Sequence, residues 1–350
     1  MFNEIIKVFI DVIGSDSSVF DAIKAIDASK IKIVAVSDEE NSSILGMMSD
    51  GDIRRAFLAG ASMEAAVRDY AHRDYHFLTN ESQIQEAQKY LDDGLKAIPI
   101  GNKVLETGKV LAFAYNTDKV HTEQLSAIIM AGGKGTRLRP LTNNIPKPMI
   151  DVNGKPMLHH QIESLRFAGV KEIYISVAYL KEQIMDYFGD GKKYGVNIEY
   201  LEEDVPLGTA GSLKLLPDQV ESLFCVNADL ITNLDFKNMA DFWSGSDADI
   251  LTACQVYLHQ IPFGVLEISD QCVKGIQEKP TIARYINTGM YVLGKRALDI
   301  CRSIDIDIFD IPHLIDACIS EGGKVVPFVV HESWADVGTL DALQSVHEPE

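Results

Sequence analysis

Apolar and polar positions over residues 1–118 fall into two similar series. Residues 21–26 show the spacing of an amphipathic helix, and residues 86–91 repeat it. Each is followed by an alternating, β-branched run, 31–36 in the first series and 95–100 in the second, which predicts a strand. The two runs start 95 − 31 = 64 residues apart. A second strand follows each after a polar turn, at 44–48 and 110–115. Helix, strand, turn, strand, taken twice, predicts one small α/β module whose two units bury a shared sheet face.

Residues 119–125 are polar and aperiodic, which marks a linker. A new apolar run opens at 126–131, and strand and helix patterns then alternate. Strands are predicted at 171–177, 197–201 and 223–227, and helices at 156–168, 181–188, 209–216 and 236–243. This alternation predicts a doubly wound, mostly parallel sheet of Rossmann type. Beyond residue 249 strand patterns follow one another, near 249–256, 263–268, 273–277, 288–293 and 324–330. Antiparallel strands are therefore expected at one side of a mixed sheet. The predicted organisation is a small α/β module over 1–118, a linker over 119–125 and an α/β domain over 126–350.

Composition narrows the function. Of the 350 residues 46% are hydrophobic, which excludes a disordered or collagen-like chain. Lysine and arginine number 32 against 51 acids, a formal charge of −19 that repels nucleic acids and anionic membranes. The five cysteines form no C-x-x-C pair, so reduced, buried thiols are expected rather than disulfides or a zinc ribbon. No apolar run approaches the ~18 residues of a membrane helix, and the start carries Glu4 and Asp11 without a cleavage-site pattern. A cytoplasmic protein is expected.

Against this acidity, residues 124–150 contain no Asp or Glu but do contain Lys134, Arg137, Arg139 and Lys147. Gly132, Gly133, Gly135 and Thr136 sit among them, directly after a strand. Glycines let backbone N–H groups approach a ligand, and with fixed cations they make a cradle for phosphates. The loop is neither a Walker A motif, because Gly135 follows Lys134, nor a dinucleotide fingerprint, because Leu138 stands where its third glycine belongs. Prolines on both sides of Lys147 predict a stiff, extended segment that keeps its ammonium aimed.

Carboxylates complete the set. Asp229 follows the strand 223–227, a position that suits either a Mg²⁺ ligand or a helix N-cap. Asp336, two residues before Gly338, fits the same two roles after the last strand. Glu278 and Lys279 offer an acid for hydroxyls and a cation for a phosphate. Leu207, Gly208 and Thr209 open a helix with small residues and would let a flat base approach backbone. The histidines show no ligand spacing, and the Asp247–Asp249 and Asp305–Asp307 pairs read as solvated turns.

In this order the motifs resemble those of the sugar-phosphate nucleotidyltransferases, over residues 126–346. The resemblance rests on Gly132 to Thr142, Pro146-Lys147-Pro148, Pro206 to Gly211, Asn227 to Asp229, Phe263-Gly264, Glu278-Lys279-Pro280, Asn287-Thr288-Gly289 and Trp334 to Thr339. It implies the nucleotide-diphospho-sugar transferase fold, and transfer from a nucleoside triphosphate to a sugar 1-phosphate with Mg²⁺ and release of pyrophosphate. It further implies phosphate contacts from Gly132, Gly133, Gly135, Thr136, Arg137 and Lys147, and a base site at Leu207, Gly208 and Thr209. Gly264, Glu278, Lys279 and Asn287 would hold the sugar phosphate, and Asp229 and Asp336 the metal. The Pro206 to Gly211 segment is similar to that of guanylyltransferases.

Residues 1–118 resemble a pair of CBS domains, most clearly around Gly46 to Ala56. The resemblance implies either an adenine-nucleotide site, as such pairs often have, with Ser49 and Asp52 placed for the ribose, or a structural or dimerising role; the same spacing is a helix capping box. The two-part chain resembles guanylyltransferases of legionaminic-type sugar pathways that act on glucosamine 1-phosphate. Mannose 1-phosphate is the alternative acceptor. A glycosyltransferase and a non-catalytic nucleotide-sensing subunit are the competing readings, and a homo-oligomer is expected.

Overall fold

The computed structural model describes residues 5–29, 31–38, 43–92, 97–105, 107–115, 125–269, 271–306 and 308–347. The chain divides into two compact units, Met1–His121 and Thr122–Glu350. Residues 119–124 of the segment expected as a linker lie outside the described residues. No helix among the described residues is long and apolar enough to cross a membrane.

The first unit contains β1 (Ile5–Gly14), α1 (Val19–Ala28), β2 (Ile33–Asp38), β3 (Ser43–Ser49), α2 (Asp50–Leu58), α3 (Ile84–Asp92), β4 (Ala97–Pro99) and β5 (Lys109–Tyr115). Its sheet has the order β3-β2-β1-β5-β4. The two series seen in the sequence supply the antiparallel pairs β2–β3 and β4–β5. They are joined through β1, which runs parallel to β2 and antiparallel to β5. Ile10, Ile33, Ala35, Met47, Val110 and Ala112 form one core cluster. Helix α2 starts with Ser49 and Asp52 bonded to each other: the Ser49 N–H and hydroxyl both donate to Asp52 Oδ2, at 2.8 and 2.6 Å. Arg55 donates to the other Asp52 oxygen at 2.6 Å. Further along, the buried Arg54 donates to Asp50 at 2.6 Å, a helical i,i+4 ion pair removed from water.

The second unit runs β6 (Ser126–Met130), β7 (Asp151–Val152), β8 (Lys155–Pro156), α4 (Met157–Phe167), β9 (Glu172–Val177), α5 (Lys181–Phe188), β10 (Asn197–Glu202), α6 (Gly208–Gly211) and β11 (Leu223–Asn227). It continues with β12 (Leu230–Thr232), α7 (Phe236–Ser244), β13 (Ile250–Gln260), β14 (Val265–Ser269), β15 (Cys272–Gln277) and β16 (Thr281–Leu293). It ends with α8 (Lys295–Ser303), α9 (Ile311–Ser320), β17 (Val325–Val330), β18 (Trp334–Asp336) and α10 (Leu340–His347). The main sheet has the order β10-β9-β6-β11-β16-β13-β17. Its first four strands are parallel, β16 is antiparallel to both neighbours, and β13 is parallel to β17.

Strands β6 and β11 read as unbroken apolar runs because both of their faces are covered. Ala127, Ile129, Phe224 and Val226 face a core shared with residues of α4, α5 and α7. Ile128, Leu223 and Cys225 face a second core with residues of α6, α8 and α9. The sheet is doubly wound, and its switch point lies between β6 and β11, where the chain returns past its starting strand. Ligands bind at such points, beyond the carboxyl ends of the strands.

Three expectations need correction. The helix expected over 209–216 is the single turn α6 followed by a 3-10 turn, Ser212–Leu215, because Gly208 and Gly211 weaken it and Pro217 stops it. Strands β13 and β16 extend further than expected, to Gln260 and from Thr281, as a ribbon beyond the core where alternating burial no longer marks them. Cys225, Cys254, Cys301 and Cys318 are buried and free, but Cys272 is exposed.

Removing one partner of a buried ion pair leaves the other charge uncompensated. Arg54→Ala should therefore cost on the order of 3–5 kcal/mol in urea unfolding, and the Asp50→Leu/Arg54→Met double variant should recover most of that loss.

Candidate active site

At the switch point a cavity of about 250 Å³ opens between the ends of β6 and β11. Its walls include Gly132, Gly133, Lys147, Glu203, Gly208, Thr209, Asn227, Asp229 and Asp310. Seven of these nine, all but Glu203 and Asp310, are candidates or motif positions identified from the sequence on separate segments. The sheet gathers them because β6, β10 and β11 all end on the same side.

The glycine loop is shaped by close approaches. Gly135 has φ +58°, and a Cβ there would lie 2.9 Å from Lys147 Cβ and 3.0 Å from Thr142 Cγ2. The Thr142 hydroxyl donates to the Gly135 carbonyl at 2.8 Å. Leu138 anchors the loop in a small core with Ile150, Val152, Met157 and Val337. Lys134, Thr136, Arg137 and Arg139 point outward, exposed, and the three cations hold no ion pair with a described carboxylate. Lys147 is not on an extended segment. Pro146 is extended, but Lys147–Met149 closes a 3-10 turn in which the Ile150 N–H donates to the Lys147 carbonyl at 3.1 Å. The turn directs Lys147 Nζ onto Asp229 Oδ2 at 2.5 Å.

Asp229 and Asp336 meet through backbone pairing. β12 and β18 are antiparallel with Leu230 opposite Asp336, and the Val337 N–H donates to the Asp229 carbonyl at 2.9 Å. Desolvation by its surroundings, and then the neighbouring Asp229 charge, raise the pKa of Asp336 above its ordinary value although its side chain reaches solvent; Lys147 and Arg137 pull it the other way. Two hard oxygen ligands held against their repulsion suit a divalent cation. Mg²⁺ commonly takes one or two protein carboxylates and completes its shell with water and substrate phosphates. The residues present thus fit Mg²⁺, which Asp229 and Asp336 would hold.

Gln161, on α4, was not apparent from the sequence. Its Nε2 donates to the carbonyls of Asn227 at 2.8 Å and Leu230 at 3.0 Å, so one buried amide ties both ends of the Asp229 loop. Asn227 packs under Gly289, whose φ of +76° and missing Cβ make room for it. Its buried Oδ1 has no hydrogen-bond partner among the described residues.

The segment after β10 is pinned from two sides. Gly208 has φ +79° and lies where a Cβ would meet the Phe309 carbonyl at 2.6 Å. Asp310, the N-cap of α9, accepts from the Thr209 N–H at 2.8 Å and from its hydroxyl at 3.1 Å. The Ile311 N–H donates to the same hydroxyl at 3.0 Å. Asp310 was also missed, although an Asp followed by a proline at the second helical position is a helix-start signature. Glu203 accepts from Ser176 Oγ and, at 3.0 Å, from the Leu207 N–H, and it lies against Gly132. Glu202, its neighbour, is paired with Lys181.

The expected sugar residues stand apart from the cavity walls. Asn287 donates to the Tyr291 hydroxyl at 2.6 Å and accepts from the Gly289 N–H at 3.0 Å. Burial pushes the Tyr291 hydroxyl up to about 12, so it stays protonated. Glu278 folds over Gly264, 3.0 Å from where a Cβ would sit. Lys279 is exposed with φ +46°. Ser49 and Asp52 lie in the first unit.

Two outcomes test this geometry. Ionising Asp336 in the folded chain is unfavourable, a cost absent at low pH that grows as pH rises through its raised pKa. Asp336→Asn should therefore raise the melting temperature of the metal-free protein at pH 7 and abolish the further rise caused by Mg²⁺. Gln161→Leu should weaken Mg²⁺ binding, measured calorimetrically with a non-hydrolysable triphosphate, by roughly 10–100-fold. Gln161→Glu should not rescue it, because a carboxylate cannot donate to two carbonyls.

The profile of the nucleotidyl transferase family matches residues 126–349. Among curated proteins the chain is similar to the probable mannose-1-phosphate guanylyltransferase 3 of Oryza sativa, 34% identical over 224 residues. It is 33% identical over 228 residues to the mannose-1-phosphate guanyltransferase of Saccharomyces cerevisiae. Each match covers 61% of this chain, which spans about 61% of the length of either relative. HddC from Yersinia pseudotuberculosis, solved in complex with GMP-PN, is 27% identical with a TM-score of 0.50, over 63% of this chain and 97% of that one. A putative glucose-1-phosphate thymidylyltransferase from Bacillus anthracis shares the fold at 22% identity and a TM-score of 0.53, over 64% of this chain and 94% of that one. With its loop, carboxylates and sheet order in the matched region, this chain belongs to the nucleotidyl transferase family.

Proposed function

We propose that the protein transfers a nucleoside monophosphate group from GTP to a sugar 1-phosphate, forming a nucleoside-diphosphate sugar and releasing pyrophosphate. The observation that carries this reading is a switch-point cavity walled by Gly132, Gly133, Lys147 and Asp229, with Asp336 next to Asp229 and with Lys134, Arg137 and Arg139 on the same glycine loop holding no ion pair among the described residues. A phosphate oxygen of the sugar phosphate attacks the α-phosphorus, and the bond to the bridging oxygen of the departing pyrophosphate breaks. The attacking oxygen of the sugar 1-phosphate is already ionised at neutral pH, so no protein base is needed. The obstacle is the repulsion of two polyanions, and positioning with charge stabilisation answers it.

In this reading Gly132, Gly133, Gly135 and Thr136 receive the triphosphate, and Arg137 stabilises charge on the α-phosphate and the leaving group. Lys147 offers its ammonium at the cavity wall. Asp229 and Asp336 would hold Mg²⁺, which when bound neutralises phosphate charge. Leu207, Gly208 and Thr209 form the floor for the base. Glu203, with lone pairs left beyond its two bonds, accepts from the N–H edge of guanine. Gly264, Glu278, Lys279 and Asn287 take the sugar phosphate. Glucosamine 1-phosphate is the acceptor assigned first. Mannose 1-phosphate is the second reading, favoured by the names of the relatives.

For the first unit an adenine nucleotide is the weaker reading. Both Asp52 oxygens already serve Ser49 and Arg55, so Ser49 and Asp52 are assigned to helix capping.

Pyrophosphate release measured for four triphosphates against several hexose 1-phosphates tests the proposal. GTP with one acceptor should dominate, and no release with any pair would support a sensor. Arg137→Ala should lower kcat by roughly 10²–10³-fold. Glu203→Gln should raise KM for GTP by about 10–100-fold, the worth of a charge-assisted bond, and leave KM for the sugar phosphate unchanged.

A further inference from the structure

The turn after β10 that lines the cavity is held by the lead-in to α9, 101 residues further along the chain. Buried backbone N–H groups are nearly all paired, so the five from Leu207 to Gly211 can be accounted for one by one. The Leu207 N–H donates to Glu203 Oε2 at 3.0 Å. The Thr209 N–H donates to Asp310 Oδ1 at 2.8 Å. The Ala210 and Gly211 N–H groups share the Phe309 carbonyl, at 3.0 and 3.1 Å. The fifth, that of Gly208, has no partner among the described residues, and Gly208 is part of the cavity wall.

Asp310 decides that one donor is open rather than two. Its Oδ1 takes both the N–H and the hydroxyl of Thr209, and that hydroxyl accepts from the Ile311 N–H at 3.0 Å. The Phe309 N–H donates to the Leu207 carbonyl at 3.0 Å, so the turn is tied to the lead-in on both sides of Gly208. The approach is close: a Cβ on Gly208 would lie 3.0 Å from Asp310 Oδ1. Without the carboxylate the Thr209 N–H becomes a second unpaired donor, its hydroxyl loses an acceptor, and the turn is free to rotate.

The open donor stands one peptide from Glu203, because the N–H before it, that of Leu207, is the one Glu203 holds. A carboxylate beside an N–H complements a lactam edge, in which a ring N–H adjoins a carbonyl. Guanine, hypoxanthine and uracil carry that edge. Adenine reverses it with an amino group and a bare ring nitrogen. It would set donor against donor at Gly208 and acceptor against acceptor at Glu203. Polar groups left unpaired cost more than a made bond gains, so a site built to hydrogen-bond one edge strongly rejects the other.

We propose that Asp310 is a positioning residue for base selection. By holding Thr209 it keeps the Gly208 N–H as the single open donor beside Glu203, and the cavity takes triphosphates with a lactam base and rejects those with an amino-substituted edge. This role rests on the base floor of the proposed function and not on the transfer step.

Calorimetric binding of the β,γ-imido analogues of GTP, ITP and ATP to the full-length chain, with Mg²⁺ present, tests it. The GTP and ITP analogues should bind at least about 100-fold tighter than the ATP analogue. Asp310→Ala should narrow that ratio about 10-fold. Asp310→Asn should recover most of it, because an amide oxygen accepts from the Thr209 N–H and hydroxyl as a carboxylate does. Thr209→Val, which removes the hydroxyl but keeps the N-cap residue of α9, should narrow the ratio by a smaller factor. Losing a helix cap does not by itself move the ratio. Asp235→Ala, which removes the carboxylate capping α7 at the Lys237 and Asn238 N–H groups, should lower the melting temperature and leave base selectivity as in the wild type. A ratio that both Asp310→Ala and Thr209→Val preserve overturns the proposal, as does a wild type that binds the three analogues equally or not at all. An Asp310→Asn variant as unselective as Asp310→Ala overturns it too. Selective binding of the GTP analogue without pyrophosphate release from any pair of substrates would sink the transfer step and leave the role of Asp310 standing.

Discussion

Backbone pairing between β12 and β18 sets two carboxylates side by side, and the rest of the site is arranged around their repulsion. Leu230 stands opposite Asp336, and the Val337 N–H reaches the Asp229 carbonyl, so neither acid can withdraw without breaking the pair. The repulsion is met in two ways. Lys147 is turned onto Asp229 by the 3-10 turn that follows Pro146. Gln161 holds the loop from beneath through two carbonyls, which prevents the Asp229 backbone from relaxing outward. Strain of this kind is stable only when several independent bonds over-determine it. Here they come from α4, from β18 and from the loop after β6.

How much of this was legible in the sequence follows from the range of each interaction. The cation loop was legible because it is local: acids are absent over 124–150 and glycines follow a strand within a few residues. Asp229 was legible because the apolar run before it announces a strand end. Gln161 and Asp310 were not, because their partners lie 66 and 101 residues away and no periodicity encodes such contacts. Lys147 lines the cavity, but on a 3-10 turn rather than the extended segment its flanking prolines suggest. The proline after it disfavours helical geometry, yet the bonds to Pro146 and Lys147 carbonyls outweigh that preference and close a turn.

The fold shows the same division. In the first unit both repeated strand pairs were visible, but β1, which joins them, was not. It precedes either repeat, and its buried Ile10 is flanked by half-exposed positions that blur the alternation. In the second unit, strands buried on both faces read clearly. The long strands β13 and β16 were truncated in the sequence reading where they leave the core, since patterning reflects burial and the ribbon has little of it.

The charge distribution then links fold to ligand choice. A surface at −19 repels every polyanion, including the triphosphate and the sugar phosphate of the proposed function. Only a ligand that arrives partly neutralised, or that reaches Lys134, Arg137 and Arg139 directly, gains by entering. A triphosphate that brings a divalent cation satisfies both conditions: its net charge is halved, and Asp229 and Asp336 would find the counter-ion their enforced proximity lacks. Under the proposed function the negative exterior would act as a filter, and the acid-free loop as the exception that admits one class of anion. Spreading the same cations over the surface would remove the filter and also leave the carboxylate pair without a nearby cation loop, so the segregation of charge along the chain is itself a functional feature of the sequence.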